Sequence, residues 1–260
     1  KIERAEAITA LEEILHASDA IMVARGDLGV EMGDAAVPAL QKRMIRLARH
    51  HNKVVITATQ MMESMINSPI PTRAEVSDVA NAVIDGTDAV MLSAETAAGQ
   101  FPVEAVAAMA RVCIEAEKES ESLQSQQRVA RSFSRIDESI AMSTIYTANH
   151  FDVKAIAALT QTGSTTLWMS RMDSNVPIYA LTPEVETRRK ITLFRGVYPV
   201  NFKMTSHDPE VLLVEAEDEL RRRGAVRDGD LIILTIGEPI GKAGGTNTMK
   251  IVKVGEHRKA

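Results

Sequence analysis

The sequence has very little cysteine, no strong excess of charge of either sign and no long hydrophobic run. Its single cysteine, Cys113, cannot form an internal disulfide, which is typical of proteins in a reducing compartment. The net charge of -5, with both signs mixed along the chain, argues against nucleic-acid binding and leaves no basic patch for a membrane surface. The apolar runs fall far short of the roughly 20 residues of a membrane span. We therefore expect a cytoplasmic protein without nucleic-acid or membrane partners.

The length of 260 residues allows one large domain or two modest ones, each with its own core. The chain opens directly on Lys1, without an initiator Met or a signal peptide. Residues 1–3 have the pattern of a strand end whose earlier part is missing. We therefore expect the chain to be part of a longer protein.

The first 118 residues alternate predicted strands with predicted helices. Three short apolar runs have the composition of buried parallel strands: residues 21–24, 54–57 and 89–92. Apolar residues at helical spacing predict helices between and after them: residues 5–16, 37–50 and 102–118. With residues 1–3 as the tail of an earlier strand, this gives four βα units. Such a series is half of an eight-stranded barrel or a stretch of open parallel sheet.

A polar stretch at residues 119–132, almost without apolar anchors over its first ten positions, marks the predicted linker. A second alternating series of helices and strands follows at residues 133–260. It predicts a separate three-layer α/β domain with its own sheet.

The segment IMVARGDLGVE, at residues 21–31, carries the clearest chemical signal. Its apolar residues end abruptly in a charged turn, at the carboxyl end of a strand, where α/β proteins place active sites. Glu3 ends the neighbouring strand, and neighbouring strands lie about 5 Å apart. Glu3 and Asp27 are therefore placed to share one Mg²⁺. The alternative is that each carboxylate caps a helix or pairs with Arg4 or Arg25.

Further polar groups cluster at the same predicted strand ends. Lys1 lies on the same face of an extended strand as Glu3, where its charge suits a transferring phosphoryl group; a solvated lysine is the alternative. Amides at Gly26 and Gly29 are placed to hold an anion, unless these glycines serve only the turn. Hydroxyl, amide and carboxylate groups there can orient a substrate, relay a proton or cap a helix: Thr57, Thr59, Gln60, Ser93 and Glu95.

In the second domain, residues 160–166 have the sequence TQTGSTT. They run from a strand end, through hydroxyls and Gly163, into a predicted helix. Such a turn can hold phosphate through amides and hydroxyls, and an ordinary polar loop is the alternative.

Four segments resemble pyruvate kinase in order and spacing: KIE at 1–3, MVARGDLGVE at 22–31, ITATQMMESM at 56–65, and PTRAEVSDVANAVIDGTDAVMLSAETA at 71–97. The resemblance covers nearly the whole chain. It implies the carboxyl-terminal half of a (β/α)8 TIM barrel followed by a three-layer α/β effector domain. It also implies phosphoryl transfer from phosphoenolpyruvate to ADP in glycolysis, giving ATP and pyruvate, with Mg²⁺ or Mn²⁺ and K⁺, in a homotetramer.

The resemblance implies roles for residues at the first two strand ends. Lys1 resembles the lysine that stabilises the transferring phosphoryl group, and Glu3 and Asp27 resemble the two metal ligands. The substrate carboxylate would be received by the backbone at Ala24, Arg25, Gly26 and Asp27.

The resemblance also extends to the later strand ends. Thr59 resembles the threonine beside the methylene carbon of the enolate. Ser93 and Glu95 resemble a Ser-Gly-Glu segment that takes part in proton relay. Arg73, at the start of a helix near a subunit contact in the family, would pair across an interface, or it belongs to an ordinary amphipathic helix.

The turn at residues 160–166 resembles the effector phosphate loop of the family. Its implied phosphate ligands are Thr160, Thr162, Gly163, Ser164 and Thr165. The loop at residues 237–249 lacks the Trp and Arg of members activated by fructose 1,6-bisphosphate, and Lys242 would serve a single phosphate. We therefore expect a monophosphate effector, such as ribose 5-phosphate or another sugar phosphate, or AMP.

Two other functions remain open from the residues alone. One is a Mg²⁺-dependent lyase or aldolase acting on phosphoenolpyruvate or pyruvate, and the other is a phosphate-sensing module without turnover. Because four strands cannot close a barrel, we expect this chain alone to be inactive and a longer parent to be the kinase.

Overall fold

The computed structural model describes residues 1–119, 133–172, 174–240 and 244–256. The chain divides into two compact units, Lys1–Leu123 and Gln124–Ala260. The predicted linker lies almost entirely outside the described residues, so its bounds stay a prediction. Within the described ranges, no helix is both long and apolar enough to span a membrane.

The first unit is built on a three-stranded parallel sheet. Its strands, in their order across the sheet, are β1 (Ala20–Ala24), β2 (Val54–Ala58) and β3 (Ala89–Met91). All three predicted strands are confirmed to within one residue at each end. The residues of β1 and β2 are mostly apolar and buried, as expected for strands of a parallel sheet.

The first residues of the chain run parallel to β1. Ile2 forms a parallel bridge to Val23, and the amide of Ala24 donates to the carbonyl of Ile2 at 3.2 Å. Ala24 is in register with Ala58, and Ala58 with Met91. The ends of the four predicted βα units therefore meet at one edge of the sheet.

Helices connect and follow these strands. They are α1 (Ala5–Thr9), α2 (Leu11–Ala17), α3 (Arg25–Met32), α4 (Val37–His50), α5 (Arg73–Ile84), α6 (Ala94–Ala97) and α7 (Pro102–Glu119). The single helix predicted at residues 5–16 is two helices, because Ala10 has a ψ of 19°, outside the helical range. Helix α3 begins directly after β1, which is the charged turn of the sequence.

Two apolar clusters support the sheet. One lies between β1, β2 and the helices α2 and α4, and it includes the fully buried Leu15, Val23 and Met44. The other joins α5 and α7 to the segment after β2, where Met61 and Met62 are also fully buried. Burying each such side chain contributes about 1.5–3 kcal/mol. The segment that follows β2 is therefore anchored in the core immediately after its polar residues.

A capping box fixes the start of α5. The Thr72 hydroxyl accepts from the Glu75 amide at 3.3 Å, and Glu75 Oε2 accepts from the Thr72 amide at 2.8 Å. Glu75 also accepts from the Ser64 amide at 2.7 Å. Burial raises the pKa of Glu75, but hydrogen bonds from Ser64 and Thr72 outweigh it, so that its pKa lies below the usual value. Pro71 lies directly before the cap residue Thr72, outside the helix.

The amino edge of the same sheet has its own buried arginine. Arg49 Nη1 donates to the carbonyl of Gly86 at 3.0 Å, just before β3. Gly86 has a φ of +93°, and a Cβ at this position would lie 2.8 Å from the Arg49 Nη1. Only glycine allows both the positive φ and the close approach of the Arg49 guanidinium.

The second unit contains a five-stranded sheet between layers of helices. Across the sheet, the strands are β6 (Val197–Asn201), β5 (Ile178–Thr182), β4 (Val153–Leu159), β7 (Leu231–Gly237) and β8 (Thr246–Lys253). The helices are α8 (Ile136–His150), α9 (Ser164–Ser170), α10 (Val185–Ile191) and α11 (Pro209–Arg222). Among the described strands of this sheet, β8 lies at one edge and is antiparallel to its neighbour, and the other pairs are parallel.

Candidate active site

Lys1, Glu3 and Asp27 meet at the carboxyl edge of the first sheet. Lys1 Nζ lies 2.7 Å from Glu3 Oε2 and 3.7 Å from Asp27 Oδ2. The hydrogen bond and charge of Glu3 raise the pKa of Lys1, with a smaller contribution from Asp27. The hydrogen bond from Lys1 lowers the pKa of Glu3. The side chains thus lie together as the strand spacing predicted, while their chemical roles stay predictions.

Glu3 and Asp27 suit a divalent cation whose coordination shell is completed by a substrate. Two carboxylates that approach the same ammonium group are close enough to share one cation. Mg²⁺ typically takes one or two protein carboxylates and keeps its other positions for water and substrate oxygens. No group of three or more His, Cys, Asp or Glu suited to a metal occurs among the described residues. The pair therefore suits a metal shared with substrate, and not a closed protein site.

Gly26 and Thr59 bring the ends of β1 and β2 into direct contact. The Gly26 amide donates to Thr59 Oγ1 at 2.9 Å, and Thr59 Oγ1 donates to the carbonyl of Ala58 at 2.6 Å. Ala24, by contrast, is fully buried and its amide is bound to Ile2. Both amides are therefore already bonded within the protein, and the half-buried Gly26 is more accessible to a substrate than the fully buried Ala24.

Arg25 points into the protein. Its guanidinium binds Asp78 on α5, with Nη1 at 2.8 Å from Oδ1 and 2.6 Å from Oδ2. The same group donates to the carbonyls of Thr59 and Gln60, at 2.7 and 3.0 Å. These bonds engage its side chain within the protein, so that a contact with substrate would fall to the Arg25 backbone. Sequence reasoning missed Asp78, which lies 53 positions from Arg25 and carries no local signal.

Glu95 joins the ends of β2 and β3 from inside the protein. Its carboxylate is 2% exposed and accepts from the Met62 amide at 3.0 Å and from the Ser93 amide at 2.7 Å. Ser93 is half-buried at the edge. The interpretation of Thr57 as a substrate-orienting hydroxyl is wrong, because Thr57 is fully buried and bonded to Thr87 at 3.0 Å.

The second unit has a small cavity at the carboxyl ends of β4, β5 and β7. Its polar lining consists of Thr160, Gln161, Thr162, Ser164, Thr165 and Thr246. The hydroxyls of Thr165 and Thr246, both in this lining, lie 2.6 Å apart and are hydrogen-bonded to each other. Gly163 is not in the lining; its φ of +79° forms the turn. Lys242, also proposed as a phosphate ligand, lies outside the described residues.

Both regions match models of one protein family. Residues 1–106 match the model of the pyruvate kinase barrel domain, and residues 138–252 match that of the pyruvate kinase alpha/beta domain. The chain belongs to the pyruvate kinase family. The first unit is thus part of a pyruvate kinase barrel, and the second is the separate α/β domain, as predicted.

Individual pyruvate kinases are similar over nearly the whole chain. Pyruvate kinase II of Salmonella typhimurium is 53% identical over 258 residues, which is 98% of this chain and 54% of the relative. Pyruvate kinase of Buchnera aphidicola subsp. Baizongia pistaciae is 52% identical over the same length and shares. That of Geobacillus stearothermophilus is 45% identical over 252 residues, covering 96% of this chain and 43% of the relative. The chain spans about half the length of the curated pyruvate kinases it matches.

The buried contacts of Glu95 predict that it supports the edge structurally. Glu95→Gln replaces an acceptor oxygen with an amide group that faces a backbone N–H. We expect a loss of about 1–3 kcal/mol in the free energy of unfolding, measured by urea titration. Glu31→Gln, at an exposed site on α3, is the matched control and should change stability by less than about 0.5 kcal/mol. Equal stability of the two variants would contradict the structural role.

Proposed function

We propose that this chain forms the metal-binding and proton-transfer part of a pyruvate kinase active site. The complete enzyme would transfer the phosphoryl group of phosphoenolpyruvate to ADP, giving ATP and pyruvate in glycolysis. The observation that carries the proposal is the cluster of Lys1, Glu3 and Asp27 beside the contact of Gly26 with Thr59. This arrangement lies within the region that matches the pyruvate kinase barrel.

The phosphoryl end of the substrate would lie against Lys1. Phosphoryl transfer depends chiefly on positioning and on stabilising negative charge, which the ammonium group of Lys1 supplies. Glu3 and Asp27 would hold Mg²⁺ or Mn²⁺, and the bound metal would neutralise charge on the substrate oxygens. K⁺ is a further cofactor by family resemblance.

The enolate end of the substrate would lie between β1 and β2. The amide of Asp27 would receive its carboxylate, together with the amide of Gly26 once the substrate replaces the bond of that amide to the Thr59 hydroxyl, so that the methylene carbon faces Thr59. After the phosphoryl group has left for ADP, a proton must be added to this carbon while the enolate oxygen becomes the carbonyl of pyruvate. The Thr59 hydroxyl would hold that proton at the carbon, with Ser93 at the neighbouring strand end in the relay. Glu95, which the resemblance also assigns to the relay, would act through the Ser93 amide that it binds.

A lyase or aldolase acting on phosphoenolpyruvate or pyruvate would use similar strand-end carboxylates. It gives no reason for the second unit, which matches the pyruvate kinase α/β domain. The kinase function is therefore favoured.

The cavity of the second unit would bind a phosphorylated effector and regulate the kinase. Its hydroxyl lining supports a sugar monophosphate, such as ribose 5-phosphate, or AMP as the ligand. A phosphate-sensing module without turnover would use the same site.

A cytoplasmic homotetramer is the assembly we infer from the family. The exposed side chain of Arg73, at the start of α5, makes no ion pair among the described residues and would pair with another subunit.

We expect the 260-residue chain alone to form no pyruvate from phosphoenolpyruvate and ADP, because it spans only about half the length of the pyruvate kinases it matches. The chain joined to the corresponding amino-terminal part of the Salmonella typhimurium pyruvate kinase II should form pyruvate in a coupled assay. Glu3→Gln in the joined protein should lower kcat by about 100-fold or more through the loss of a metal ligand.

Two results would contradict this account. One is turnover by the 260-residue chain at the rate of the joined protein, and the other is a folded joined protein that forms no pyruvate. Circular dichroism of each protein controls for folding.

Calorimetric titration of the chain with ribose 5-phosphate and AMP tests the effector site. Loss of a hydrogen bond to a charged group corresponds to about a tenfold or greater loss in affinity, so Ser164→Ala should weaken binding by that factor. Ser143→Ala, on the exposed face of α8, should leave the affinity unchanged. Absence of binding by every sugar phosphate and by AMP would refute the site.

A further inference from the structure

We propose that Arg25 is a positioning residue that holds the left-handed turn at Thr59 and Gln60 and thereby sets the place of the Thr59 hydroxyl. The effect on catalysis rests on the proposed function, whereas the hold on the turn does not. None of the roles assigned above uses the Arg25 side chain.

The turn after β2 has a backbone conformation that its residues do not favour. Thr59 has a φ of +66° and Gln60 a φ of +53°. Positive φ is uncommon for any residue with a Cβ, and a β-branched residue such as Thr is an outlier there. Strained backbone persists only where surrounding contacts determine it. Some contact must therefore stabilise both residues together.

The guanidinium of Arg25 supplies that contact. Its Nη2 donates to the Thr59 carbonyl at 2.7 Å and to the Gln60 carbonyl at 3.0 Å, and its Nε donates to the Thr59 carbonyl at 3.1 Å. Two consecutive strained residues thus present their carbonyls to one planar group. The planar fork lets Nη2 and Nε bind these carbonyls while Nη1 binds Asp78, which the single nitrogen of an ammonium group on a flexible stem cannot do.

The position of the guanidinium is itself fixed. Its Nη1 is held by both oxygens of Asp78, and Gln41 Oε1 lies 3.4 Å from the same nitrogen. The Arg25 side chain is only 9% exposed. A buried charge with an ion pair and several hydrogen bonds has little freedom to move.

The left-handed turn also fixes the Thr59 hydroxyl, which lies at the proposed reaction centre. Thr59 Oγ1 accepts from the amide of Gly26, the residue that follows Arg25. The side chain of Arg25 and the amide of Gly26 therefore hold Thr59 from two sides. Loss of the first contact would free the turn and displace the hydroxyl from the end of β1.

Arg25→Lys retains the charge and removes the fork, and Arg49→Lys is the matched control. Arg49 is also buried in the first unit and also binds a carbonyl, that of Gly86, but at the amino edge of the sheet. Hydrogen exchange followed by mass spectrometry, on the 260-residue chain, should show faster exchange at residues 59–62 in Arg25→Lys, by about tenfold or more. Arg49→Lys should leave these amides unchanged.

The exchange pattern separates positioning from a general loss of stability. A merely structural role of Arg25 would accelerate exchange across the whole first unit in Arg25→Lys, and not selectively at residues 59–62. That pattern, or unchanged exchange at residues 59–62 in Arg25→Lys, would overturn the proposal.

Kinetics of the joined protein test the consequence for catalysis. A displacement of about 1 Å can cost about 100-fold in rate, so Arg25→Lys should lower kcat by that order while KM for phosphoenolpyruvate changes less than about threefold. Adding Gln60→Asn should restore kcat by about threefold or more, because Asn adopts positive φ more readily than Gln. Equal kcat for Arg25→Lys and Arg49→Lys, or no restoration by Gln60→Asn, would overturn the positioning role.

The two readouts separate this proposal from the proposed function. Absence of turnover in the unsubstituted joined protein counts against the kinase function. Exchange at residues 59–62 still decides whether Arg25 holds the turn.

Discussion

The guanidinium of Arg25 ties the end of β1 to the turn after β2 and to helix α5. It forms an ion pair with Asp78 and donates to the carbonyls of Thr59 and Gln60. A buried charge is tolerated only when it is paired and hydrogen-bonded, so folding of the first unit must bring these three elements together. Asp27, which is exposed and lies two positions after Arg25, stands at the edge just beyond this buried contact.

The carboxyl edge of the first sheet has two levels. The buried level joins strand ends to one another, as Arg25 does for β1 and β2 and Glu95 does for β2 and β3. The exposed level carries Lys1 and Asp27, whose side chains are close enough to interact. Buried charges bound by backbone groups give precise placement, whereas exposed charges remain available to a metal or a phosphate. The proposed chemistry depends on both levels.

Much of the fold follows from the sequence, because short apolar runs with polar ends are a strong signal for parallel strands. The meeting of Lys1 with Glu3 also follows, since side chains two positions apart share a face. The contact of Arg25 with Asp78 does not, because nothing local links residues so far apart. The left-handed turn at Thr59 was equally hidden, as threonine disfavours it and only a tertiary contact stabilises it. Local pattern therefore predicted where the site lies, but not what holds it.

Anomalous diffraction from crystals of the protein with Mn²⁺ and oxalate, a planar dianion that resembles the enolate of pyruvate, tests the central claim most directly. The account predicts one strong manganese peak bounded by the carboxylates of Glu3 and Asp27, with oxalate against the Gly26 amide and the Thr59 hydroxyl. A manganese peak elsewhere, with Lys1 still paired to Glu3 and no oxalate at the strand ends, would contradict it.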